Sequence, residues 1–187
     1  MRRRFRRRTI TALAIAAFLA AGALWSTVVE PNMLRTTEVT VANSKWPAGR
    51  SALTIAALAD LHIGSPFVDL EKLAEIVRHT NALKPDLIVL LGDYLNMSNR
   101  LGGYVPPESI AEVLARLSAP LGVHAVLGNQ DWWNSGAEVR RALEQAGLAV
   151  LDNERVAVQT ADGPLWIAGI ADDRVRNPDV AGTLAGI

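Results

Sequence analysis

Apolar positions follow three rhythms along this chain. From Thr9 to Val29 they are nearly unbroken, 21 residues without a charge, and predict one helix. At roughly 1.5 Å per residue it would be about 31 Å long, enough to cross a hydrocarbon core. Glu30-Pro31-Asn32 should break it, and the alternation from Arg35 to Val41 predicts an edge strand before a turn at Trp46-Pro47-Ala48-Gly49. Short apolar runs then alternate with stretches at helical spacing. Leu53 to Ala59 predicts a buried parallel strand. Leu70, Leu73 and Val77 predict a helix capped by Asp69. After Pro85, Asp86 to Gly92 predicts a second buried strand, and Tyr94 to Pro107 a loop rich in Gly, Asn and Pro. Pro107 starts a helix with its core stripe at Ile110, Val113, Leu114 and Leu117. Val123 to Leu127 predicts a third strand, and Val139, Leu143 and Ala146 a helix stopped by Gly147. The last rhythm is three short strands, Leu148–Leu151, Arg155–Thr160 and Pro164–Ile170, the final two joined at Asp162-Gly163. Strand, helix, strand in about 40 residues is a right-handed βαβ unit, so the class is α/β with a parallel sheet. The chain divides into a basic segment 1–8, an apolar segment 9–29, a linker with the edge strand 30–50, and one domain 51–187.

Charge sharpens the picture. Arg2, Arg3, Arg4, Arg6, Arg7 and Arg8 are six of 19 basic residues, which leaves 13 against 19 acidic ones and a net of about −6 for the remainder. That balance argues against nucleic acid as a partner. The arginines should stay cytoplasmic, which sends everything beyond Glu30 across the membrane. The expected setting is a single-pass bacterial inner-membrane protein with an extracytoplasmic domain. Ala21-Gly22-Ala23 also fits a cleavage site, so the same segment reads alternatively as a signal sequence. The chain has no cysteine, which excludes disulfides, thiolate ligands and a cysteine nucleophile.

Candidate chemistry gathers where the three predicted parallel strands stop. Asp60 and His62 follow the first, Asp93 the second and Asn129 the third, at intervals of 33 and 36 residues. Parallel α/β sheets bind ligands outside the carboxyl ends of their strands, so one cleft could take all four. In extended chain, positions i and i+2 face one side, so Asp60 and His62 could grip one ion. Carboxylate, imidazole and amide oxygen together suit Mn²⁺, Fe²⁺, Zn²⁺ or Mg²⁺, and Asp93, central in the set, could bridge two ions that clamp a phosphoryl group. His79 falls on a solvated helix face and His124 inside a strand, so neither is expected to be a ligand. Asp172 and Asp173 read as turn residues. The loop Ala59 to Gly64 lacks the glycine patterns of phosphate-cradling nucleotide sites, and Ser65-Pro66 reads as a turn rather than a nucleophile.

Asp60-Leu61-His62, Gly92-Asp93 and Gly128-Asn129-Gln130-Asp131 resemble the first three motifs of calcineurin-like metallophosphoesterases, written D-x-H, G-D and G-N-H-[DE]. Leu61-His62-Ile63-Gly64-Ser65-Pro66-Phe67 and Asn129-Gln130-Asp131-Trp132-Trp133 are similar to the membrane-anchored bacterial branch. The resemblance implies a sandwich of two mixed β-sheets flanked by helices. It implies two divalent ions, with Asp60 and His62 on the first, Asp93 bridging and Asn129 on the second. It also implies hydrolysis of a phosphate mono- or diester or a pyrophosphate through a hydroxide held between the metals. The membrane segment makes a lipid or envelope phosphate the expected substrate, with Asn129 toward it; Trp132 and Trp133 read either as lining of the substrate cleft or as a wall of the core.

Two departures stand out. Gln130 replaces the family histidine that serves the leaving group, and it can donate a hydrogen bond but not give up a proton, leaving Asp131 with nothing to orient. The family also continues into G-H and G-H-x-H motifs that complete both metal shells, whereas this chain has no histidine after His124. The expectation is the front two-thirds of such an enzyme, with a non-catalytic remnant that binds one metal weakly as the alternative.

Overall fold

A computed structural model describes residues 2–44, 46–47, 49–96 and 102–186. Ala48 of the predicted turn and residues 97–101 of the predicted loop lie outside them. The chain forms two compact units, Met1–Val41 and Ala42–Ile187.

In the first unit, helix α1 (Arg2–Leu24) runs into a π-helical turn (Trp25–Val29) and a last helical turn, α2 (Glu30–Asn32). The predicted break at Pro31 therefore comes later, at Met33, which is extended. Proline has no N–H to donate, and the ladder widens to π geometry just ahead of it. The Ser26 and Thr27 hydroxyls donate to the Ala23 carbonyl at 3.2 and 2.6 Å. Thr9–Asn32 is long and apolar enough to cross a membrane, with mean hydropathy 2.0 and none of its window buried. Arg35 to Val41 forms no strand and is exposed. Alternation favours a strand only where one face can be buried, and this stretch has no such face.

The second unit is built on a four-stranded parallel sheet in the order β1 (Ile55–Leu58), β2 (Leu87–Leu90), β3 (Val123–Ala125), β4 (Ala149–Val150). Helices α3 (Leu70–Ala82), α4 (Pro107–Leu114) and α5 (Asn129–Gln145) make the crossovers, as right-handed βαβ units require. Leu73 and Val77 of α3, Ile110 and Leu114 of α4, and Val139 and Leu143 of α5 join Ile88, Leu90, Ala125 and Val150 in one core. β2 is buried on both faces, as predicted. β1 is not, because it lies at the sheet edge: Ala56 and Leu58 pack inward while Ile55 is 52% exposed.

The second sheet is an antiparallel hairpin of β5 (Glu154–Thr160) and β6 (Gly163–Gly169). Thr160 pairs with Gly163, so the turn is Ala161-Asp162, one residue earlier than predicted. Asp162 accepts the Ser51 N–H at 2.9 Å, and the Pro164 carbonyl accepts from the Arg50 guanidinium at 3.4–3.5 Å. At its other end Gly169 packs against Val126 and Leu151. The domain thus has a helical layer, a parallel sheet and a second, smaller sheet. Asp179 caps the short final helix α6 (Val180–Leu184) by accepting the Gly182 N–H.

Candidate metal centre

The site lies where the parallel strands end. Beyond Leu58 the chain leaves strand geometry and turns through Asp60 (φ 52°) and His62 (φ 42°); Asp93 after β2 does the same (φ 55°). Left-handed backbone is uncommon outside glycine and costs energy. Among the described residues only Lys84 and Asn153 join these three as non-glycine examples, so strain concentrates at the candidate ligands. The turns are pinned to each other. Asp60 N–H donates to the Gly92 carbonyl (3.2 Å), His62 N–H to that of Asp93 (3.0 Å) and Ile63 N–H to that of Tyr94 (2.7 Å). The Asp60–His62 pairing therefore comes from a turn locked against the next loop rather than from strand alternation.

The turns bring three side chains together. Asp60, His62 and Asp93 each offer a ligand atom, and these lie within 4.8 Å of one another. Asp60 Oδ1 is 3.8 Å from His62 Nε2. His62 Nδ1 is 3.3 Å from the Leu95 carbonyl; a proton on Nδ1 satisfies that contact and leaves the Nε2 lone pair toward the cluster. Two carboxylates this close repel unless a cation lies between them. The donor set and its spacing fit a divalent ion of the Mn²⁺, Fe²⁺ or Zn²⁺ type.

Asn129 is the first residue of α5, so the third motif opens a helix rather than lying on a loop. The Gln130 N–H donates to Asp93 Oδ1 at 2.9 Å, which brings the second and third loops into contact. Gly92 and Gly128 make that approach possible. A Cβ on Gly128 would strike the Asp93 carboxylate, and one on Gly92, at φ 91°, would strike the Gly128 backbone.

Asp131 is fully buried and accepts four backbone N–H groups. Oδ2 takes those of Asp93 (2.8 Å) and Gly128 (2.9 Å), and Oδ1 those of Tyr94 (2.9 Å) and Leu95 (3.3 Å). Burial pushes its pKa up to about 6, against the pull of these four N–H groups, and the carboxylate oxygens are held entirely by backbone donors. Beside it the buried Tyr94 hydroxyl donates to the Val126 carbonyl at 2.9 Å.

The remaining candidates have surroundings of their own. The Trp132 ring packs against Gly136 and carries the Arg176 guanidinium 4.4 Å from its centroid; Arg176 in turn donates to Asp152 at 2.9 Å. That aromatic–cation–carboxylate stack follows from no spacing in the sequence. His79 is exposed. His124 is buried on the sheet face, with Nε2 3.1 Å from the Leu121 carbonyl. Asp172 is a turn residue, accepting the N–H groups of Arg174 and Val175.

A family model for calcineurin-like phosphoesterases matches residues 53–165, the stretch that builds this site. The chain belongs to the calcineurin-like phosphoesterase family. It is 34% identical over 187 residues to the uncharacterized metallophosphoesterase YkuE of Bacillus subtilis, which covers 98% of this chain and 64% of that protein. A transmembrane protein with metallophosphoesterase domain from Danio rerio is 30% identical, over 91% of this chain and 38% of its own length. The UDP-2,3-diacylglucosamine pyrophosphatase LpxG of Chlamydia trachomatis is 34% identical over 121 residues, 63% of this chain and 35% of that protein. The chain thus spans from about a third to just under two-thirds of these relatives' lengths.

Proposed function

We propose that this metallophosphoesterase chain forms the metal-binding part of a membrane-tethered hydrolase that cleaves a phosphate mono- or diester or a pyrophosphate. The observation that carries the reading is the convergence of Asp60, His62 and Asp93 within 4.8 Å at the carboxyl end of the parallel sheet. In this reading Asp60 and His62 hold one divalent ion, Asp93 reaches both ions, and Asn129 supports the second and faces substrate. Bound divalent ions supply Lewis acidity toward a phosphoryl oxygen and lower the pKa of coordinated water. The chain's own part is to fix the ligand side chains by strained turns and to exclude water from Asp131. Gln130 donates a hydrogen bond to the leaving side without transferring a proton.

The apolar Thr9–Asn32 helix and the arginines before it support an inner-membrane anchor with the domain on the extracytoplasmic side. LpxG, by its name, acts on a diacylated sugar nucleotide; likeness to it supports a lipid-linked phosphate as substrate here. The test is turnover by the full chain with Mn²⁺, comparing an aryl phosphate, an alkyl diester and a diacylated nucleotide pyrophosphate. Faster turnover of the pyrophosphate is expected. A second reading, a non-catalytic chain that binds one metal, draws on the fact that Asp60, His62 and Asp93 are the one such cluster among the described residues. Mn²⁺ binding at a 1:1 ratio with no turnover of any of the three would favour it.

A further inference from the structure

We infer that Asp131 is a positioning residue which holds the loops after β2 and β3 in register through their backbone N–H groups, independently of the side chain at position 130. The inference rests on the metal reading above and concerns a residue outside the ligand cluster. Three observations carry it. Asp131 has no exposed surface, so it touches neither substrate nor solvent. Both of its oxygens are filled by backbone, two N–H groups each, so it needs no side-chain partner to be satisfied as a buried anion. The donors are also spread in an informative way. A carboxylate three residues into a helix ordinarily accepts the N-cap N–H, and that accounts for Gly128 alone. The other three, Asp93, Tyr94 and Leu95, belong to the loop after β2, 36 to 38 residues earlier.

The consequence reaches the ligands. The Asp93 N–H is fixed by Asp131 while the Asp93 side chain accepts the Gln130 N–H. The Asp93 carbonyl accepts from His62, so the loop after β1 is held in turn. One buried carboxylate therefore organises the β2 and β3 loops directly and the β1 loop at one remove. Such a clamp sets the ligand geometry before any metal arrives.

Hydrogen exchange on the full, metal-free chain in detergent tests this first. The N–H groups of Asp93, Tyr94, Leu95 and Gly128 are expected to exchange at least about 100-fold slower than unstructured backbone. Free exchange that slows only after Mn²⁺ is added would overturn the clamp. In Asp131→Asn the amide can accept through only one atom and turns N–H donors toward N–H donors. Mn²⁺ affinity by calorimetry should fall about 10–100-fold, as when the groups that orient ligands are lost, with protection kept at Leu73 and Val77 in α3. Loss of protection at α3 to the same extent would mean a general folding role and sink the proposal. If the variant does not fold, the wild-type exchange still decides. The third arm repeats Asp131→Asn in a Gln130→His background. Effects that multiply to within about twofold fit a backbone role, whereas an Asp131 effect that changes more than about tenfold with residue 130 would show that it acts through that side chain. The exchange arm contains neither metal nor substrate, so a wild-type chain that bound no Mn²⁺ would fail the metal reading without touching the clamp.

Discussion

Gln130 takes the place where a proton donor serves the leaving group in the motif this chain resembles; its backbone N–H is bonded to Asp93, which leaves the side chain to play that part. An amide side chain stabilises charge by hydrogen bonding but does not transfer a proton. General-acid assistance is worth about 10²–10⁴-fold and matters most for poor leaving groups. Gln130→His is therefore expected to raise turnover of an alkyl phosphate by a factor in that range and of an aryl phosphate by much less; equal gains on both would exclude the acid role. Asp93 makes a second residue-scale prediction. Placed between Asp60, His62 and the third loop, it should contribute to every metal bound, so Asp93→Asn lowers Mn²⁺ stoichiometry at all sites, whereas His62→Ala affects chiefly one. A stoichiometry that stays put in Asp93→Asn, measured by calorimetry, would remove Asp93 from the bridging position.

Among the elements, the ends matter more than the middles. Gly128→Ala places a methyl group against the Asp93 carboxylate, and overpacking of this kind costs about 1–3 kcal/mol. The expected result is a lower denaturation midpoint together with weaker Mn²⁺ binding, whereas Gly147→Ala, with open space around it but φ 86°, should lower stability alone. The core strands and helices were legible from period: Leu73 and Val77, Ile110 and Leu114, and Val139 and Leu143 sit on the buried stripes that their spacing predicts. The carboxyl ends were legible as chemistry but not as geometry. Nothing local announces left-handed backbone at Asp60 and His62, because that conformation is imposed by N–H groups reaching the neighbouring loop. Nor did periodicity reveal that α5 begins at Asn129. Residues 129–134 carry no apolar stripe, and Ser135 (φ −164°, ψ 76°) interrupts the helix before the stripe begins. β1 read as buried because apolar content reports strand type and not place in the sheet, and edge position is decided by strand order.

At the scale of the whole molecule the chain pairs two units of opposite solvent preference. The Thr9–Asn32 helix keeps its apolar side chains exposed, with Phe18 at 78% and Leu13 at 65%, whereas the domain from Ala42 onward buries its own apolar stripes. A helix this long and this apolar suits an apolar solvent, and the hydrocarbon core of a bilayer supplies one of matching thickness. The units should then respond separately to substitution. An arginine near the middle of a spanning helix costs about 2.5–3.5 kcal/mol on the insertion scale, so Phe18→Arg is expected to move most of the chain from the carbonate-resistant membrane fraction to the soluble or degraded one. Solubilised in detergent, the same variant should keep wild-type Mn²⁺ affinity, because no part of the metal cluster comes from that helix. Unchanged membrane retention of Phe18→Arg would mean that something other than this helix holds the protein at the bilayer. Loss of Mn²⁺ affinity in detergent would mean that the helix is needed to shape the site.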